Sequence, residues 1–579
     1  MTFVYDGSSA FSHPPCRASS PSHSSRQGAS AMAAKKTMLT ALTSVGLLAV
    51  TACSGSAVGN GTASPAGRLT TTTEPGGSEV DRVTWALPYG EPTTLDPARI
   101  GDYSPQTVEA NLCDTLTRMN PDFSLSPGLA RKVTWTDDHA LVLDLRPGVK
   151  FWDGSPMTPE DVIHSLERQR DPRTQALYGN YLTAVTSIEA TGPHQVTLRT
   201  KEYDQTLPKA LSTSFGAVNQ KAYTEKAGPA YGTAKGGLMC TGPFKLGSWK
   251  SGNGITLERN DAYWDTELKP KAKQVGFRFI TDNNTLTSAL LSGEVDGTYE
   301  LPPSSAIALG KADNGTVHLG PSTQNVLLVP GNPESPAADR KLLDALSLVI
   351  DRNALIKNVF GGDAATLKSL VPPPTWRGDK AATRFDAAYT ALPDVPEPDA
   401  EKAGKLVAQA RPVSRPLVAA IPAGDQRGLQ TLTFVQAAAK EIGVDIEIKQ
   451  LQPTEMSSLF YDPSVRKGLD LVLTFGYVTM PDPASYVAES LTPRGTFNWT
   501  GYDDPEVTRL LDRARTSSDP EASASAYAEA QELFTPTTPA VFLATTHERM
   551  FMNKRISGAP TSFAYMSMPW AAHLGGTGK

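Results

Sequence analysis

Cysteine is scarce in this sequence: Cys16, Cys53, Cys113 and Cys240 are the four in 579 residues. That number excludes a disulfide scaffold, so stability has to come from a packed core. An excess of basic charge is also missing. The 54 lysines and arginines stand against 60 acidic residues, a net charge of −6, and no basic patch is present. This argues against nucleic acid as a partner. The eight histidines are scattered without metal-ligand spacing, and G-x-S-x-G, H-E-x-x-H and G-x-x-x-x-G-K-[ST] are all absent. No metal, no cofactor and no catalytic constellation are therefore expected. What the chain has in quantity is glycine (47) and proline (46), which point to many turns and ordered loops rather than a helical bundle. Its length suits roughly three or four domains of about 150 residues.

The N-terminal region reads as an address and a tether. Residues 1–31 have no periodic apolar pattern and read as an extension before an initiator at Met32. Residues 32–52 have the parts of a secretory signal: Lys35 and Lys36, the apolar run MLTALTSVGLLAV, then small residues. That run is shorter than the roughly 20 residues a membrane span needs. Val50-Thr51-Ala52-Cys53 resembles the lipobox of bacterial lipoproteins. The resemblance implies that Cys53 is lipidated and becomes the mature N-terminus, holding the protein at the extracellular face of the cytoplasmic membrane. The alternative is an ordinary cleaved signal. Residues 53–80 read as a flexible tether, rich in Ser, Gly and Thr.

Leu145 to Arg168, LRPGVKFWDGSPMTPEDVIHSLER, gathers Asp153, Ser155, Asp161 and His164. They invite a hydrolase reading, yet each has a structural use. Asp153 and Ser155 suit a tight turn at Asp153-Gly154. Thr158, Pro159 and Asp161 read as a capped helix start. His164 lies away from the stripe of Val162, Ile163 and Leu166. Further along, Pro416 to Ile421, Asp425 to Ile442, Val444 to Ile448 and Leu469 to Leu473 follow a β-α-β rhythm, which indicates an α/β lobe. Asp339 to Arg352 reads as a helix burying Leu342, Leu346, Val349 and Ile350 and ending at Gly361-Gly362.

The run from Trp135 to Arg168 resembles a signature of the extracellular solute-binding proteins of ABC importers, the family of dipeptide, oligopeptide and nickel binders. Other stretches agree in order: Leu95-Asp96-Pro97; Thr241-Gly242-Pro243-Phe244; Leu257 to Asn260 with Tyr263-Trp264; Ser292 to Asp296; and Asp339 to Arg352. The resemblance implies an α/β, two-lobed periplasmic-binding-protein-like fold (type II, cluster C-like) with an extra small insert domain. Lobe I would comprise residues 81–115, 202–320 and 536–579, the insert domain 116–201, and lobe II 321–535. It further implies a monomer, not an enzyme, that captures a small solute, by default a peptide. The captured solute would pass to a membrane permease served by an ATPase. The alternatives are a secreted lipoprotein hydrolase, and a binding fold used for sensing or as a chaperone.

By the same resemblance the ligand site draws on Tyr89, Leu95, Thr241, Gly242, Tyr477 and Asp482. Peptide-binding relatives carry G-W-x-x-D in the second-lobe loop, its aspartate pairing with the peptide's α-amino group. Here Tyr477 stands for the tryptophan, Thr479 or Met480 falls at the aspartate, and Asp482 is the nearest acid. Core packing is the other reading of Tyr477, and a turn before proline that of Asp482. Cys113 and Cys240 both fall in lobe I, and either pair as a disulfide or remain two small buried thiols.

Overall fold

The structure is a computed structural model that describes residues 69–578. The signal sequence, Met32 and Cys53 lie outside the described residues. Among these residues, three sheets carry the architecture. The first has seven strands in the spatial order Gly315–Gly320, Glu548–Asn553, Gly297–Thr298, Val80–Leu87, Ala272–Phe279, Gly254–Arg259 and Phe244–Lys250. Its central strand, Val80–Leu87, runs parallel to Ala272–Phe279 and buries Val83, Trp85 and Leu87 on one face. Trp85, Tyr299 and Phe277 all pack against Trp570, forming the aromatic heart of lobe I.

The second sheet has six strands: Ala364–Ala365, Val541–Thr546, Gln324–Pro330, Leu471–Tyr477, Leu417–Pro422 and Ile446–Leu451. The expected β-α-β unit is here. Leu417–Pro422 pairs parallel with both Ile446–Leu451 and Leu471–Tyr477, and the helix Gln426–Glu441 crosses between the first two. Asp425 caps that helix, its carboxylate accepting from Gly428 N at 2.9 Å. The helix expected from Asp339 is two helices, Arg340–Val349 and Arg352–Val359. The break falls where Asp351 caps the second and the Arg352 guanidinium turns inward to the carbonyls of Ser347, Ile350 and Phe542.

A four-stranded antiparallel sheet, in the order Ala130–Asp137, Ala140–Leu145, Gln195–Thr200 and Val185–Gly192, forms the insert. The helix Pro159–Glu167 packs on it and carries the capping box of Thr158 and Asp161. Asp153 accepts from both the backbone N and the hydroxyl of Ser155, at 2.9 and 2.7 Å. Asp153, Ser155, Thr158 and Asp161 thus hold a turn and a helix start.

Three boundaries need correction. The insert core does not stop at 201, since Leu207, Ala210, Leu211, Phe215 and Val218 pack into it. Lobe II does not hand back to lobe I at 536: Val541–Thr546 still pairs with Gln324–Pro330, and the first sheet resumes at Glu548–Asn553. The tether does not run to residue 80. Thr70 N donates to Leu319 O, Thr73 N to Ala559 O and Gly77 N to Gly576 O, so lobe I holds this segment by its backbone. Composition misses this because a Thr- and Gly-rich segment needs no apolar face to satisfy its backbone on a sheet rim.

The chain crosses between the two large sheets where Gly320 leads to Gln324 and where Thr546 leads to Glu548. The crossings lie side by side: Gly320 pairs with Glu548, and the Thr545 hydroxyl donates to Gln324 O at 2.8 Å. Two adjacent short connections of this kind are the geometry of a hinge.

Among the titratable groups, His573 is pushed down to about 4 by burial and by nearby Arg118. Neutral when folded, it takes up a proton first in the unfolded chain. Stability from this group is therefore full above about 6.5 and falls as pH drops through about 4. Urea midpoints measured from pH 7 to pH 4 should fall less steeply in His573→Gln than in the natural chain, by up to about 3 kcal/mol at the acid end.

Candidate functional site

The two lobes meet on a seam of aromatic and charged side chains. Tyr89 follows the C-terminal end of Val80–Leu87 in lobe I, and its ring stacks on Tyr103 with centroids 4.4 Å apart. Tyr103 belongs to the helix Tyr103–Glu109, and its hydroxyl crosses to lobe II, donating to Phe475 O at 3.1 Å and accepting from Gln324 Nε2 at 2.9 Å. Tyr477, at the end of Leu471–Tyr477, packs edge-on against Tyr103 and donates to Gly101 O at 2.9 Å. Phe563 closes this group from lobe I, 5.3 Å from the Tyr477 ring.

Beside the rings lies a set of charges. Arg427, in the first turn of Gln426–Glu441, reaches across from lobe II. It donates to the Tyr89 hydroxyl at 3.1 Å, approaches the Glu300 carboxylate at 3.7 Å and lies 4.0 Å over the Phe475 ring. The Tyr89 hydroxyl in turn donates to Glu300 at 3.2 Å. Burial works against the charged form of Arg427, yet Tyr89, Glu300 and Asp425 outweigh it and hold the guanidinium protonated. Behind Glu300, Glu548 accepts from Glu300 N at 2.8 Å. Burial and the proximity of Glu300 push Glu548 well above the usual carboxylate range, so it tends to keep its proton. Arg549 is held down by burial and by Arg427, and donates to Leu301 O at 2.8 Å.

Two recesses open along the seam. One, narrow, is lined by Tyr89, Tyr103, Ser104, Tyr299, Glu300 and Tyr565. The other, equally narrow, lies between Phe123, Tyr477, Thr479, Met480, Phe563 and Met566 and is mainly apolar. A seam at the strand ends of two α/β lobes, with converging polar groups and recesses, is where such folds take ligands.

The model of the bacterial extracellular solute-binding proteins, family 5 Middle, matches residues 124–498, more than half the chain. The chain belongs to this family. The glutathione-binding protein GsiB of Shigella dysenteriae is 24% identical over 454 residues, 77% of this chain and 86% of that protein. The oligopeptide-binding protein OppA of Bacillus subtilis is 26% identical over 477 residues, 78% of this chain and 85% of that one. Among solved structures, the binding protein AgaA of A. tumefaciens, in complex with agropinic acid, superposes with a TM-score of 0.75 at 22% identity. That match covers 86% of this chain and 98% of the other. The two-lobed architecture is that of the family 5 binding proteins.

Of the site residues expected from sequence, the structure brings Tyr89 and Tyr477 together, both against Tyr103. Leu95 is fully buried in lobe I, its N donating to Gly232 O. The Thr241 hydroxyl donates to Asp114 at 2.9 Å, and Asp114 also accepts from Tyr263 at 2.7 Å and Trp264 at 2.9 Å, so two family motifs converge on one buried carboxylate. Gly242 passes so close to Leu112 that a Cβ would meet its carbonyl at 2.2 Å. Asp482 caps the helix Pro483–Leu491 and accepts from Lys209 at 3.1 Å. Cys113 and Cys240 are joined as a disulfide, Cα atoms 4.9 Å apart.

Sequence reasoning missed Arg427, Glu300, Tyr103 and Ser104. Arg427 had a usable signal: a cation in the first helical turn after a strand of a parallel pair. Glu300 had none, since it takes part in no periodic pattern.

Proposed function

We propose that this protein is the lipid-anchored receptor of an ABC importer, which captures a peptide or similar solute between its lobes and delivers it to a membrane permease. The seam supports this reading: Tyr103, Tyr89 and Glu300 of lobe I meet Arg427, Phe475 and Tyr477 of lobe II through direct hydrogen bonds and ring contacts. Each lobe carries half of the recognising groups, so a solute touching both gains its full set of contacts only when the hinge closes. Closure follows from that differential. The apolar recess by Thr479 and Met480 and the charged recess by Glu300 both border this seam, where a solute would touch the two lobes. The names of the relatives, oligopeptide- and glutathione-binding, agree with a peptide-like solute.

Mass spectrometry of small molecules released from freshly purified protein tests capture. A stoichiometric solute is expected, and its return to the stripped protein should be saturable. Conversion of that solute to a product would instead support the hydrolase reading. For the anchor, Cys53→Ala should release the protein from membranes into the medium, scored by fractionation and blotting; retention of the variant would count against lipidation at Cys53.

A further inference from the structure

We infer that the insert side of lobe I carries a clasp, a second closing surface that grips lobe II as the hinge shuts and uses none of the rings of the seam. The inference rests on hinge closure and on no particular solute.

The segment 202–209 follows the strand Gln195–Thr200 and enters the insert core at Leu207. Its polar side chains reach across to lobe II. Glu202 and Asp204 pair with Arg515, at 2.5 and 2.9 Å. Gln205 N donates to Arg515 O at 3.0 Å, and Gln205 Nε2 to Ala514 O at 2.7 Å. Both carbonyls stand in the last turn of the helix Pro505–Thr516, where a helix has no partners of its own to offer. A helix end of one lobe is thus capped from the other. Lys209 is mostly buried and bridges two separate segments of lobe II, its Nζ donating to Asp379 at 2.9 Å and to Asp482 at 3.1 Å. Burial works against its charge, yet Asp482 and Asp379 outweigh it and hold Lys209 protonated. Next to Asp379, Gly378 lies flat on the turn at Phe123, whose ring joins the lobe I core. A Cβ at Gly378 would meet Ser124 N at 2.4 Å.

These contacts have to part when the hinge opens. The insert is tied to lobe I by the Arg168–Asp96 pair and by backbone bonds from Trp152 N to Cys240 O at 3.2 Å and from Val218 N to Asp114 O at 3.1 Å. It therefore moves with lobe I, while Asp379, Asp482 and the helix Pro505–Thr516 move with lobe II. Met480 of lobe II adds an apolar contact to the insert core. Contacts made only in the closed arrangement tilt the hinge towards closure before any contact with a solute is counted. They tighten capture of every solute by the same factor. Asp482 and its partner Lys209 then serve closure rather than recognition.

Hydrogen exchange of the freshly purified full chain, with the solute it carries, tests the clasp at single-residue resolution. The Gln205 amide reports it, and the Leu211 amide, bonded to Leu207 O inside the insert, is the control. Gly378→Ala wedges the clasp apart without removing a charge. It should speed exchange at Gln205 about tenfold and leave Leu211 as it was. Lys209→Met should do the same; if it does not fold, Gly378→Ala decides. Arg427→Ala, which loosens the seam, should also speed Gln205, because the two surfaces part in one motion. Unchanged exchange at Gln205 in a folded Gly378→Ala or in Arg427→Ala overturns the clasp. So does equal acceleration at Gln205 and Leu211, which would mean that the insert itself has loosened. A chain that carries no solute would count against capture, and the exchange comparison would still decide the clasp.

Discussion

Arg168→Ala is expected to lower the stability of the protein by about 3–5 kcal/mol, the usual result of stripping one partner from a buried ion pair. Arg168 ends the helix Pro159–Glu167 of the insert, and Asp96 lies in the Leu95-Asp96-Pro97 segment of lobe I. The guanidinium forks onto both carboxylate oxygens, at 3.0 and 2.5 Å, and lies 5.2 Å over the Tyr231 ring. The Asp96 side chain is 2% exposed, so its charge without the arginine has little access to water. One backbone donor, Ala98 N at 3.2 Å, would remain. The pair joins insert to lobe, so the loss should appear as a shifted denaturant midpoint. The double variant Asp96→Ala/Arg168→Ala should be destabilised less than the sum of the two singles. An additive cycle would mean that the pair contributes nothing as a pair.

The second large effect concerns the disulfide. It closes a loop across 127 positions of sequence. For a loop that long, the chain-entropy model puts the stabilisation at about 5 kcal/mol, and measured values for native disulfides run at about 2–5 kcal/mol. Cys113→Ala/Cys240→Ala should therefore lower the urea midpoint substantially. A thiol reductant should lower the midpoint of the natural chain to nearly that level and leave the variant unmoved. Insensitivity of the natural chain to reductant would remove the disulfide from the account. The bond also pins the segment in which Gly242 approaches Leu112, and with it the Thr241–Asp114 contact. Reduction should loosen this part of lobe I before the second lobe.

Much of the architecture was legible because it is local. The turn at Asp153, the capping box of Thr158 and Asp161, and the strand–helix–strand unit around Gln426–Glu441 all follow from patterns within one continuous stretch of chain. The boundaries were less legible because they depend on pairing over long distances. Nothing in Val541–Thr546 says that it joins Gln324–Pro330, more than 200 positions earlier, and not the sheet that follows it. The site was half legible for the same reason. Tyr89 and Tyr477 stand at strand ends, where motif order points. The groups that link them, Tyr103, Arg427 and Glu300, come from three other segments and meet only in the folded chain. Thr241 and Gly242 show the converse. Their motif is distinctive, yet in the structure the threonine serves a buried carboxylate and the glycine a close backbone approach.

In the proposed capture cycle the lobes close on a solute through contacts that neither lobe makes alone. Small-angle scattering of the stripped protein, before and after its co-purified solute is returned, reads that closure. The radius of gyration should fall on reloading, and the loaded curve should match the closed arrangement in which Tyr103 meets Phe475. Identical curves in the two states, with the solute bound in both, would contradict it.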